Sequence, residues 1–211
     1  MYKFLFILLY ALCFGSTMTQ AQRWTWSVTA EASLDKPKNA HGVFTSNYKP
    51  RWGGSLGVKT TCALGENASH WFGEASLLLA NRGWIDRNFA VGDDKQTDWK
   101  LKANYLELPL RLGYRFAYNE RMAFKLCAGP YVAVGLWGGD KAGSMTNHDL
   151  FTADKYKRFD WGLSGYGSIV YQRWEIGLGY SAALSNPAGD SWKLMKAKDK
   201  RIILSLSYCL N

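Results

Sequence analysis

From residue 24 onward the chain keeps alternating between apolar and polar positions. The clearest stretch is YLELPLRLGYRF, residues 105–116. Leu106, Leu108, Leu110, Leu112, Tyr114 and Phe116 occupy one register, and Tyr105, Glu107, Pro109, Arg111, Gly113 and Arg115 the other. Side chains two residues apart share one face of a β-strand, so this is a strand with one greasy face. The same alternation recurs at 24–34, 52–64, 71–81, 122–136, 159–171, 174–185 and 202–210. No stretch of helical periodicity follows any of the eight, which places the chain in the all-β class.

The mid-strand charges decide what the two faces touch. Glu31, Lys59, Glu74, Glu107, Arg111, Arg115, Lys125, Asp160 and Glu175 all fall on the register opposite the leucines. Chance would do this about once in 500 trials, because a one-residue slip reverses a side chain's face. Their companions on that register are Ser, Thr, Gly and Tyr, small or mutually neutralising residues that suit a narrow barrel interior. The connections then alternate in length: 35–51 long, 65–70 short, 82–98 long, 117–121 short, 138–158 long, Gln172-Arg173 tight, 186–200 long. Short periplasmic turns and long extracellular loops mark an outer-membrane barrel. The pattern therefore predicts an eight-stranded antiparallel up-and-down transmembrane β-barrel with a filled polar interior. The nine charged residues form its internal network, and the leucines face lipid.

Such a barrel needs aromatic belts at the two headgroup levels. Trp24, Trp26, Trp71, Phe116, Phe124, Tyr171, Trp174 and Tyr208 fall at the periplasmic ends of the strands, with Tyr118 beside them. Trp52, Phe159 and Trp161 fall at the outer ends. Trp84, Trp99 and Trp137 have the wrong parity for the lipid face and are expected beyond the membrane or past a bulge. Pro109 and Pro130 cannot donate to the ladder and are expected to mark bulges or kinks.

Composition adds the compartment. The 211 residues are 47% apolar, 15% aromatic and 20% charged, which excludes disorder. Mean hydropathy is −0.23, and after residue 15 no apolar run has the length of a membrane helix. Lys3, the apolar run Phe4 to Phe14 and Thr19-Gln20-Ala21 read as a signal peptide over 1–21, leaving 22–211 as the barrel domain. Cys13 leaves with the signal. Cys62, Cys127 and Cys209 remain as small strand residues without paired or metal-ligand spacing.

Four stretches also resemble the PorT-like small outer-membrane barrels common in Bacteroidetes-type bacteria. They are YLELPLRLGYRF at 105–116, AGPYVAVGL at 128–136, WEIGLGYSAALSN at 174–186 and RIILSLSY at 201–208. The resemblance implies an outer-membrane location and an eight-stranded barrel, in a family whose best-known member is implicated in type IX protein secretion. One departure is the ending Cys209-Leu210-Asn211, where barrels often finish on an aromatic residue; Tyr208 stands nearest.

Candidate chemistry is thin. His41 and His148 lie in long loops and His70 in a periplasmic turn. Ser46 or Ser144 with Asp149 would complete a hydrolytic set of the kind that lipid A-modifying barrels use, but no spacing holds these residues together. Neither a metal nor a cofactor is expected. Formal charge is +9, gathered in the first loop (Lys36, Lys38, Lys49, Arg51), the third (Lys141, Lys155, Lys157, Arg158) and the fourth (Lys193, Lys196, Lys198, Lys200). The second loop, with Asp86, Asp93, Asp94 and Asp98, is mildly acidic. Basic loops at this level would meet lipopolysaccharide phosphates. The expected role is non-enzymatic: a monomeric structural, surface-binding or secretion-accessory barrel that acts through its loops on lipid, lipopolysaccharide or envelope proteins, with no part for nucleic acid. A lipid A-modifying enzyme is the alternative, and a small-solute channel the third.

Overall fold

The computed structural model describes residues 24–37, 47–65, 70–91, 95–152, 156–186 and 198–210. The expected signal segment lies outside these residues, as do Lys38, His41, Ser46, Asp93, Asp94, Lys155, Lys193 and Lys196.

The strands are β1 (Trp24–Pro37), β2 (Asn47–Lys49), β3 (Arg51–Ala63), β4 (Trp71–Val91) and β5 (Lys95–Ala117). They continue with β6 (Met122–Ala142), β7 (Met145–Asn147), β8 (Phe159–Tyr171), β9 (Trp174–Ala183) and β10 (Asp199–Cys209). Eight of them form a closed antiparallel ring in the order β1, β3, β4, β5, β6, β8, β9, β10 and back to β1. Closure leaves no open edge in lipid, where every backbone polar group must be satisfied internally. The three-residue strands β2 and β7 pair outside the ring, on β4 and β6. Cys62 and Cys127 are free thiols.

Three strands run far past their expected ends. β4 has 21 residues, β5 23 and β6 21, so much of the expected loops 82–98 and 138–158 is strand. About 9–11 residues of a tilted strand cross a bilayer. Roughly half of each of these strands therefore stands outside it, as a three-stranded wall rising from one side of the barrel.

The wall went unread in the alternation because its polarity inverts. Below Asn104, β5 points leucines outward and Glu107 and Arg111 inward. Above it the same two faces carry Lys100 and Lys102 outside, with Trp99, Leu101, Ala103 and Tyr105 buried inside. Outside the membrane the exterior is water, and the inward face becomes an ordinary apolar core. The register shifts also lie here, between Asp86 and Phe89 on β4 and at Leu136, an extra residue in β6 opposite Asn104 and Tyr105. That bulge turns Trp137 outward to 56% exposure, while Trp84 and Trp99 stay inside and meet edge to face at 5.0 Å. Pro109 and Pro130 do not shift register. The pairing continues at the same offset on both sides of each, and only individual pairs are missing. An absent N–H removes a bond without adding a residue, so the ladder thins rather than bulges.

Candidate functional site: the filled interior and its extracellular end

Two ion-pair clusters occupy the lumen. In the periplasmic half, Glu74 and Glu175 face Lys59, Arg111 and Lys125. Arg111 Nη1 lies 2.8 Å from Glu74 Oε1, and Lys125 Nζ lies 3.4 Å from Glu74 Oε2 and 3.1 Å from Glu175 Oε2. Lys59 Nζ is 2.9 Å from Glu175 Oε1 and 3.8 Å from Glu74 Oε2. Ser168 Oγ donates to Glu175 at 2.9 Å, and Tyr166 OH donates to Glu31 at 3.1 Å. The Arg111 guanidinium stacks 4.1 Å over the Tyr166 ring, and the Lys125 ammonium stands 4.6 Å from the Phe72 ring centre.

The second cluster lies nearer the outer end. Arg82 pairs with Glu107 and, at 2.7 Å, with Asp160. Arg201 Nη2 reaches Glu107 Oε1 at 2.7 Å and Ser181 Oγ at 3.1 Å. Tyr131 OH donates to Asp160 at 3.2 Å, and Ser185 donates to the same carboxylate. Asp35, buried beside them, accepts from Ser33 Oγ at 2.7 Å and from the Gly83 N–H at 3.2 Å. Each carboxylate of these clusters is met by a cation or by hydrogen-bond donors. Without such partners, burying it would cost several kcal/mol.

Of the nine charges expected inside, eight face the lumen. Lys59, Glu74, Glu107, Arg111, Lys125 and Asp160 are buried, and Glu31 and Glu175 are half-buried. Arg115 is a correction: it is exposed near the end of β5. Its register partner is Lys125, already held by two glutamates, and like charges directly opposite repel, so Arg115 turns to water. The members absent from the sequence reading are Asp35, Arg82 and Arg201. Each sits one residue beyond the strand end set by the apolar alternation and keeps the inward parity.

Eleven of the twelve aromatics assigned to the belts are exposed: Trp24, Trp26, Trp52, Trp71, Phe116, Tyr118, Phe124, Phe159, Trp161, Tyr171 and Trp174. Tyr208 is half-buried against Trp174, with ring centres 4.8 Å apart.

The filled interior is polar at the membrane level and changes character toward the mouth. Above the Arg82 cluster the lumen holds an apolar core of Trp84, Trp99, Leu101, Ala103, Tyr105, Tyr131, Ala133, Leu150 and Tyr156. Leu150 and Tyr156 lie outside the strands, so chain beyond β7 plugs the extracellular mouth. Phe151 packs edge to face on Tyr105 at 5.5 Å, and a Cβ on Gly135 would overlap the Phe151 ring. Burial holds the Tyr156 phenol well above its ordinary pKa, so it stays neutral.

Among the described residues the hydrolytic candidates do not assemble, and His41 and Ser46 lie outside them. Ser144, His148 and Asp149 are all exposed, and no hydrogen bond joins them to one another. Among the described residues no cluster of three His, Cys, Asp or Glu side chains could hold a metal.

A sequence model of the outer membrane protein β-barrel domain matches residues 14–188. The Yersinia pestis attachment invasion locus protein Ail is 14% identical, with 91% of this chain and 100% of Ail covered and a TM-score of 0.42. Ail solved with the heparin analogue sucrose octasulfate is likewise 14% identical, covering 90% and 100% at a TM-score of 0.42. Neisserial surface protein A is 12% identical, covering 87% and 96% at 0.45. A comparison with curated proteins finds no sequence match.

Proposed function

The chain belongs to the outer membrane protein β-barrel domain family and resides in the outer membrane, and from that premise we propose that it is a closed, non-enzymatic barrel acting at the cell surface. The observation that carries this reading is the double seal of the lumen. Paired charges fill the membrane level, and the plug of Leu150, Phe151 and Tyr156 fills the mouth. A barrel of eight strands is only wide enough for side chains to fill it, which argues against a solute path.

Contact surface is what remains. The raised wall of β4, β5 and β6 projects past the bilayer and offers partners a firm, edge-capped platform. We assign it envelope partners: lipopolysaccharide through its basic side chains, and the proteins of a secretion or surface assembly. The PorT-like resemblance favours a secretion-accessory role within that range.

The test is affinity purification of the tagged protein from native outer membranes in mild detergent, with protein and lipid mass spectrometry. Stoichiometric recovery of envelope or secretion proteins supports the accessory role. Recovery of lipopolysaccharide alone reduces the reading to a stand-alone barrel. Altered lipid A mass on expression would overturn the non-enzymatic reading.

A further inference from the structure

Between β5 and β6, on the outer side of the wall, lies a groove of about 440 Å³. Lys100, Lys102 and Lys141 line it, with Trp137 and His148. Lys100 and Lys141 are direct register partners, and Lys102 stands two residues along the same face. Like charges directly opposite destabilise a sheet unless something neutralises them. None of the three lysines has an ion pair among the described residues, although pairing is the rule throughout the lumen. Asp140, the one acid in the groove lining, is already engaged: Trp99 Nε1 and Asn147 Nδ2 each donate to it at 3.1 Å. Asp98 and Asp149 are exposed and lie outside the lining, and Glu107 faces the lumen.

The height of the groove identifies what could neutralise it. Leu79, Leu106 and Val134 form one register row of the lipid face, with Leu106 at its centre. Lys102 is four residues above Leu106 on β5. At about 3.3 Å per residue and a tilt near 45°, this lifts its backbone roughly 9 Å above that row. Phe159 of the outer aromatic belt shares that row through Val134, which sets the row at the upper edge of the hydrocarbon. The headgroup region adds about 5–7 Å beyond it, so the Lys102 backbone stands at its outer edge, with the long side chain able to reach headgroup phosphates. Trp137 stands beside Asn104, two residues nearer that row, and offers a flat ring to a sugar.

We propose that this groove binds the phosphorylated sugar headgroup of an outer-leaflet glycolipid. The three ammonium groups meet phosphate and the Trp137 ring meets the sugar face. The inference rests on the lipopolysaccharide contact proposed above and gives that contact a site.

The test uses the full barrel in nanodiscs carrying lipid A, with retained lipid counted by native mass spectrometry. The variants are the triple K100Q/K102Q/K141Q and a charge-matched control, R115Q/R121Q/R173Q, at the periplasmic end. All six side chains are exposed, so both variants keep the fold, which heat-modified migration on gels verifies. The expected result is that wild type and control retain phosphorylated lipid A but not a dephosphorylated analogue, and that the triple variant retains at least about tenfold less. Equal retention by the triple variant would overturn the site while leaving the lipid contact standing. No retention by wild type would overturn both. Glucosamine phosphate free in solution, binding as tightly as the lipid, would overturn the membrane source and make a soluble glycan the ligand.

Discussion

Glu107 is the carboxylate on which the outer charge cluster turns, and Glu107→Gln is its most informative perturbation. The residue is 3% exposed, and its two oxygens serve different arginines, Arg82 and Arg201. The amide keeps one acceptor, so one guanidinium retains a neutral partner and the other meets an N–H pointed at it. Two charge-assisted bonds of roughly 1.5–3 kcal/mol each are at stake. Removing one partner from a buried ion pair costs about 3–5 kcal/mol, and that is the expected destabilisation. Urea titration of the barrel refolded into lipid vesicles, followed by tryptophan emission, gives the number directly. A double-mutant cycle with Arg201→Met then isolates the pair, with an expected coupling above about 1 kcal/mol. A loss below about 1 kcal/mol for Glu107→Gln would mean that water solvates both arginines. The lumen would then be wet, and the argument for a sealed barrel would fail with it.

Other outcomes follow from the same geometry. Wild-type protein in planar bilayers gives no discrete conductance steps at either polarity; steady openings would refute the seal. Leu178 is 62% exposed on the lipid face of β9, so Leu178→Arg costs about 2–4 kcal/mol if it lies near the bilayer midplane, measured by vesicle refolding. Leu150→Asp puts a carboxylate into the apolar plug and should loosen its chain, so that trypsin cuts at the exposed Lys157 and Arg158 faster than in wild type while the barrel core stays resistant. An unchanged cutting rate would show that the plug tolerates charge.

The barrel and its direction were legible because strand alternation is a period of two and the lipid face is uniformly apolar. What escaped the sequence had a physical cause. Lys100, Lys102 and Trp99 obey the same alternation as Leu106 and Glu107, but above the membrane apolar means inside. A reader who equates greasy with outward therefore loses the strand at Asn104. Asp35, Arg82 and Arg201 were lost for a related reason: each lies one residue outside the run set by the apolar alternation, and only parity marks it as inward. The plug could not be read at all, since Leu150 and Tyr156 belong to no alternating run and take their meaning from the wall they cover. Arg115 was misplaced by parity alone, which cannot see that Lys125 opposite carries the same sign.

The ring is closed by its first and last strands, with eleven register pairs running from Ser27 with Cys209 to Pro37 with Asp199. This sets an order in time. Until residues 199–209 have been made and delivered, β1 has no partner on that side, and an open strand edge in hydrocarbon costs several kcal/mol for each unpaired group. The chain cannot enter the membrane piecemeal as it emerges. It must wait, unpaired, until β10 arrives to complete the circle. A nascent chain cut short before β10 has no stable resting place in the bilayer, and loss of that one strand should clear the protein from the outer membrane altogether.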